Sequence, residues 1–229
     1  MRIVVFGANG PTGRLLVSQA LAAGHEVTAA TRRPDAFPQQ HPNLTVALAD
    51  VLDESAVDAV VDGANAILST LGTPFGRHPV TVYSVGMRNI LAAMDRHGVR
   101  RLAVVSSSAT EPRPYADAGF FFNRVLQPFV VNVMGKTVYQ DMRRMEELVR
   151  TSRVDWTIVR PSGLFDAKVV SQYDLAEGHI GGRFTARADL AAAMLAQADD
   201  DRYVRKIVAV ATYENVPSMA QLVLREAFS

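Results

Sequence analysis

The chain has no cysteine, a single tryptophan, and only three lysines (Lys136, Lys168 and Lys206) among its 229 residues. Without cysteine there can be no disulfide, no thiol nucleophile and no thiolate metal site. Charge of one sign is missing too. Lys+Arg number 24 against 23 Asp+Glu, a net charge of +1, and the two signs are interspersed. That balance offers no electrostatic footing for nucleic acid or an anionic membrane. No stretch approaches the roughly 18 uninterrupted apolar residues of a membrane span. An apolar strand pattern begins at Arg2, which reads as leaving no room for a signal peptide. Repeats and interdomain linkers are not evident, and no His, Asp and Glu grouping has metal-ligand spacing. The expectation is a soluble, cytoplasmic, single-domain chain over 1–229 with no metal, its state as monomer or homodimer undecided.

What is present begins at residue 2. Arg2–Phe6 is an apolar β run, followed at once by Gly7-Ala8-Asn9-Gly10-Pro11-Thr12-Gly13 and then by a helical pattern over Arg14–Gly24. Gly7 permits a tight turn, Gly10 allows the backbone to approach a pyrophosphate, and Gly13 lets the helix pack closely on the strand. The free N–H groups at the helix start, and the helix dipole, favour an anion there. Strand, glycine turn, helix and a second strand at Glu26–Thr31 are the context a dinucleotide site requires.

Further apolar runs recur at Leu44–Leu48, Ala66–Leu71, Leu102–Val105, Trp156–Val159 and Ile207–Val210. They are continuous, as strands covered on both faces should be. Helical patterns lie between them, among them Tyr83–Met94 ending near Gly98, Lys136–Thr151, and Ala188–Gln197. This alternation implies an α/β fold of the Rossmann type, a doubly wound parallel sheet with helices on both faces. Two segments break the rhythm, about 111–135 and 161–183. Both follow predicted strands, so both read as long loops on the ligand side.

The second strand ends Thr31-Arg32-Arg33-Pro34, where NAD enzymes usually place an acidic residue. An arginine pair suits a 2′-phosphate through forked, charge-assisted bonds, so NADP (NADPH) is expected over NAD. The competing reading is two solvated surface arginines.

The ordered pieces Gly7–Gly13, Ala49–Asp53, Leu68–Thr73, Gly86–Ile90, Ser106–Thr110 and Asp155–Leu164 together resemble the short-chain dehydrogenase/reductase superfamily. The likeness is to its atypical members, the NAD(P)H-binding proteins of the biliverdin-IXβ/flavin reductase and NmrA-like kinds. The resemblance implies that Asp50 and Val51 border the adenine, and that Leu71 and Gly72 line the cofactor. It also implies that Pro161, Ser162 and Gly163 approach the nicotinamide. Asn9, Pro11 and Thr12 complete the phosphate turn.

Catalysis in that superfamily rests on a serine after the fifth strand and a Tyr-x-x-x-Lys on the next helix. The resemblance places these roles on Ser108, Tyr139 and Arg143, with arginine in the lysine position. Glu147, four residues beyond Arg143, matches a glutamate that often follows the family lysine. Tyr115, Phe120, Phe121, Phe122 and Phe129 fall in the first long segment. They suit a flat aromatic small-molecule substrate, or else form a satellite core or dimer contact. His78, His97 and His179 read as surface or capping residues, Asp189 as capping or beginning the helix around Ala191–Gln197, and Asp199-Asp200-Asp201 as a solvated turn. Three functions remain open: a reductase for a flavin, quinone or polycyclic ketone, a non-catalytic NADP(H) sensor, or an aromatic-polyketide tailoring enzyme with net oxygenation.

Overall fold

The structure, a computed structural model, describes residues 1–76, 78–114, 120, 122–167, 169–214 and 216. Its first half contains β1 (Arg2–Phe6), α1 (Pro11–Ala22), β2 (Glu26–Thr31), β3 (Leu44–Leu48), α2 (Glu54–Val61) and β4 (Ala66–Ser69). There follow α3 (Val82–His97), β5 (Arg101–Val105), a helical insert over 122–134, α4 (Lys136–Thr151) and β6 (Asp155–Pro161). The chain then runs through β7 (Gly163–Phe165), β8 (Tyr173–Glu177), β9 (Phe184–Ala186), α5 (Arg187–Ala196) and β10 (Lys206–Thr212).

Eight strands form one sheet in the order β3-β2-β1-β4-β5-β6-β10-β8, and all pairs are parallel except β10 with β8. The order reverses between β1 and β4, which is where a doubly wound sheet opens its ligand crevice. The continuous apolar runs are explained by burial on two sides. Ile3 and Val5 pack with α1 and α5, whereas Val4 and Phe6 pack with α2, α3 and α4. α3 stops at Gly98, whose φ of 67° is a left-handed cap that favours glycine. No helix among the described residues is long and apolar enough to cross a membrane.

Three expectations need correction. β3 is not covered on both faces. It is the sheet edge, and Leu48 is exposed. The segment 161–183 is no loop: it holds β7 and the antiparallel edge strand β8, where Tyr173 and Leu175 turn to the core and Asp174 and Glu177 to solvent. In the segment 111–135, residues 122–134 are helical with π-type turns, and Val125, Phe129 and Val133 lie exposed along them.

Candidate functional site

Gly7 takes a φ of 74°, and a Cβ there would lie 2.6 Å from the Thr70 carbonyl oxygen. The turn after β1 and the loop after β4 therefore touch. A Cβ on Gly13 would come within 2.8 Å of Ala8 Cα and nearer still to the Gly7 carbonyl. Gly10 is freer: its N–H donates to the Gly7 carbonyl at 3.0 Å, and a Cβ would sit 3.2 Å from that oxygen. α1 opens with Pro11, has no acidic residue in its first turn and no side-chain cap. Its first amides are thus left for an anion. Arg14 Nε donates to both the carbonyl and Oδ1 of Asn9 at 3.0 Å, fixing the outer wall of the turn.

β1 and β2 align Phe6 with Ala30, so Thr31-Arg32-Arg33 leaves the sheet level with the glycine turn. Both arginines are exposed, and among the described residues neither side chain has a carboxylate partner. The Thr31 hydroxyl accepts the Arg33 N–H at 3.2 Å. Open amides beside two uncommitted guanidinium groups fit a dinucleotide phosphate. Val51 is held from α3, its carbonyl accepting from Asn89 Nδ2 at 2.9 Å and its side chain against Gly86, where a Cβ would come within 2.7 Å. Asp50 turns its carboxylate to the Leu52 N–H.

The loop after β4 carries Leu71 and Gly72, and α3 and α4 grip it further on. Thr73 N–H donates to Tyr83 Oη at 3.1 Å, Thr137 Oγ1 donates to the Gly76 carbonyl at 3.1 Å, and Phe75 meets Tyr139 edge-on at 5.8 Å. Burial, with smaller contributions from Tyr139 and Asp141, outweighs the Thr73 bond and pushes the Tyr83 phenol up to about 12. Asp141, fully buried on α4, accepts from the N–H groups of Tyr83 and Ser84 and from the Ser84 hydroxyl. It caps α3 from a neighbouring helix.

Ser108 begins a short 3-10 turn beyond β5 and lines a narrow cleft with Glu111, Arg113, Arg160, Ser162 and His179. Pro161 ends β6. The Ser162 hydroxyl donates to the Gly182 carbonyl at 2.7 Å, and Gly163 pairs with β9. A larger groove, about 390 Å³, lies beside Arg2, Asn43 and Asp62 at the amino ends of the strands, opposite the glycine turn. Ligands of such sheets belong at the carboxyl ends, so the smaller cleft is the relevant one.

On α4, Tyr139 is buried, with Gly135 beneath its ring, where a Cβ would come within 2.8 Å of Cδ2. Arg143 is exposed and donates from Nε to the Thr110 carbonyl at 2.7 Å. The carboxylate that enters the site is Glu146, not Glu147. Glu146 is buried and Glu147 exposed. Glu146 Oε1 accepts from Ser106 Oγ at 2.6 Å, Thr110 Oγ1 at 3.1 Å and Arg160 Nε at 2.9 Å, while Oε2 accepts from an Arg160 Nη at 2.7 Å. The other Arg160 Nη reaches Glu111 at 2.8 Å. Burial opposes the Arg160 charge, and Glu146 and Glu111 outweigh it, raising its pKa. Arg113 and Arg160 hold Glu111 down to about 2.

This register matters. Four residues before Glu146 stands Met142, and four before that Val138, both buried and apolar. If the glutamate marks the helix face, the family lysine and tyrosine positions fall on Met142 and Val138, one step round from Arg143 and Tyr139.

Sequence reasoning missed Glu146, Ser106, Thr110 and Asp141. Arg160 carried a signal, as the lone charge inside a buried apolar strand. Of the aromatic candidates, Phe120 and Phe129 are exposed; Tyr115 and Phe121, and the Phe122 side chain, lie outside the described residues. Ala186 takes the cap position of α5, and Asp189 lies in its first turn, so it begins the helix, as expected, without capping it. It is fully buried and accepts from Ser171 N–H at 2.7 Å, Ser171 Oγ at 2.9 Å and Thr212 Oγ1 at 2.6 Å. His97 sits between Asp58 and Asp62 on α2 and just beyond it. His78 is exposed, and His179 lines the cleft. Among the described residues no group of three His, Asp or Glu could hold a metal.

Sheet order and phosphate turn together define a dinucleotide-binding protein of the Rossmann type. The chain belongs to the NAD(P)H-binding family, which it matches over residues 7–201. An uncharacterized chloroplastic protein of Arabidopsis thaliana is 27% identical over 173 residues, 71% of this chain and 59% of that protein. Uncharacterized mycobacterial relatives are 34% identical over 114 residues, of which this chain spans only 13% of their length. Among solved structures, a short-chain dehydrogenase/reductase of Veillonella parvula in complex with NADP superposes with a TM-score of 0.78 at 18% identity, covering 95% of this chain and 99% of that one. An anaerobillin reductase of Escherichia coli O157:H7 gives a TM-score of 0.72 at 21% identity, covering 95% and 100%. At these identities the structures share the fold.

Proposed function

We propose that the protein is an NADPH-dependent oxidoreductase acting on a flat acceptor such as a quinone, a flavin or a polycyclic aromatic ketone. The observation that carries the reading is the open phosphate turn, Gly7–Gly13, with Arg32 and Arg33 leaving the sheet beside it and meeting no carboxylate among the described residues. The amides at the start of α1 bind the pyrophosphate, the two arginines bind the 2′-phosphate, and Val51 and Asp50 border the adenine. Leu71, Gly72 and Pro161–Gly163 line the nicotinamide end. When bound, NADPH supplies a hydride. The protein supplies position, and Ser108 and Tyr139 hold a proton for an acceptor oxygen.

The apolar pair Val138 and Met142 beside Glu146 favours acceptors that ask little proton transfer of the protein, quinones and flavins before ketones. Phe75, exposed beside Tyr139, and Phe129 suit a planar ring better than a phosphorylated sugar. A second reading is a non-catalytic NADP(H) sensor. It is favoured by Arg143, whose Nε is committed to the Thr110 carbonyl. Turnover separates the two. NADPH oxidation above background with a panel of quinones, flavins and aromatic ketones supports the enzyme. Binding of NADP(H) with no oxidation by any of them supports the sensor.

A further inference from the structure

We infer that the buried pair Glu146–Arg160 is the positioning element of the site, holding the Ser108 turn, α4 and the Pro161–Gly163 segment at fixed spacing. The inference rests on the oxidoreductase reading for its turnover test. Each partner of the pair belongs to a segment that carries candidate site residues. Ser106 and Thr110, both bonded to Glu146, bracket Ser108. Arg160 directly precedes Pro161, Ser162 and Gly163, and its remaining Nη reaches Glu111 at the far end of the Ser108 turn. Thr110 is held by Arg143 at its carbonyl, and its hydroxyl sits between two acceptors, the Ser107 carbonyl at 2.8 Å and Glu146 at 3.1 Å.

Stability alone does not account for such an arrangement. The side chains of Arg160 and Glu146 are 10% and 6% exposed, and desolvating two charges cancels much of what their attraction returns. Apolar residues of similar volume serve a core as well or better. What they lack is geometry: a forked guanidinium against a carboxylate fixes distance and plane together. A second buried arginine, Arg101, lies at the amino end of β5, away from the cleft. Among the described residues it bonds backbone carbonyls and Thr157 and leaves Nε unmet. The satisfied, fully forked pair is the one at the carboxyl end, beside the cleft.

The test compares wild type with Glu146→Gln, Arg160→Met and the double variant Glu146→Met/Arg160→Met. Three quantities are read: melting temperature, the Kd and emission of bound NADPH, and kcat with the best acceptor of the panel. The double variant should fold, melting below wild type because the buried Ser106 hydroxyl loses its acceptor, and bind NADPH within about threefold, because the phosphate turn is untouched, yet lose kcat on the order of 10²-fold through misplacement. Its bound NADPH should emit at longer wavelength as the nicotinamide end loosens to water. Glu146→Gln, which keeps the shape, should lower kcat with an unchanged NADPH Kd. A folded double variant with wild-type kcat and emission overturns the inference, as does a wild-type kcat in folded Glu146→Gln if the double variant does not fold. Should wild type itself turn over nothing, the oxidoreductase reading fails, while the emission comparison still decides the positioning role.

Discussion

The glycines of the phosphate turn separate stability from binding, and Gly13→Ala against Gly10→Ala is the sharpest use of that difference. At Gly13 the new Cβ meets Ala8 Cα at 2.8 Å and the Ala8 carbonyl carbon at 2.9 Å. Carbon atoms prefer about 3.5–4.0 Å, so backbone must move by most of an ångström. Overpacking of that kind costs about 1–3 kcal/mol, and the rigid backbone on both sides puts this case near 3. The helical gain of alanine over glycine returns about 1 kcal/mol. The clash wins by about 2 kcal/mol, which for a chain of this size lowers Tm by about 4–8 °C. Gly10 has φ −73° and ψ 163°, allowed for any residue, and its Cβ meets only the Gly7 carbonyl at 3.2 Å. Gly10→Ala should therefore leave Tm of the free protein nearly unchanged, while its methyl group takes the place of the pyrophosphate and weakens NADPH at least about tenfold, about 1.4 kcal/mol. Differential scanning fluorimetry and fluorescence titration read the two quantities. A Gly13→Ala protein as stable as wild type, or a Gly10→Ala protein that binds NADPH normally, refutes the reasoning.

Four more outcomes are expected. Arg32→Ala combined with Arg33→Ala should weaken NADPH much more than NADH, and equal losses would undo the NADP assignment. Tyr139→Phe keeps the ring contact with Phe75, so it should leave quinone reduction within about threefold and lower ketone reduction by about 10²-fold if the phenol is the proton donor; a uniform effect on both acceptors counts against that role. Asp141→Ala strands two amides and a hydroxyl at the start of α3, costing about 1–3 kcal/mol, measurable by urea unfolding. Glu111 has a folded pKa of about 2 against an ordinary 4.5. Its ion pairs thus stabilise fully above 4.5, and that contribution is lost as pH falls toward 2. The effect is modest at a side chain 55% exposed. The Tm difference between wild type and Glu111→Gln should be present above pH 4.5 and vanish near pH 2.

The parallel strands were legible because burial on two faces leaves continuous apolar runs, and the glycine turn because its three glycines meet backbone. β8 was not, since Tyr173 and Leu175 alternate with polar residues inside a stretch that also holds His179 and four glycines. The sheet edge at β3 escaped for the opposite reason: Leu44–Leu48 reads like a central strand, and only pairing reveals that among the described residues no strand lies beyond it. On α4 the boundaries Lys136–Thr151 could be read, but the face could not. Neighbouring residues differ by about 100° of rotation, so choosing Glu147 over Glu146 turns the helix away from its buried side. The correcting signal was Arg160, since a charge inside Trp156–Pro161 demands a buried partner. Asp141 gave no signal at all, because its partners are backbone amides 57 and 58 residues away.

Titration of NADPH and NADH into the wild-type protein, followed by nicotinamide fluorescence, tests the phosphate turn and the arginine pair together. Saturable NADPH binding, at least about tenfold tighter than NADH and lost in Gly10→Ala, is the predicted result. Absence of saturable NADPH binding, or equal affinity for the two nucleotides, would contradict it.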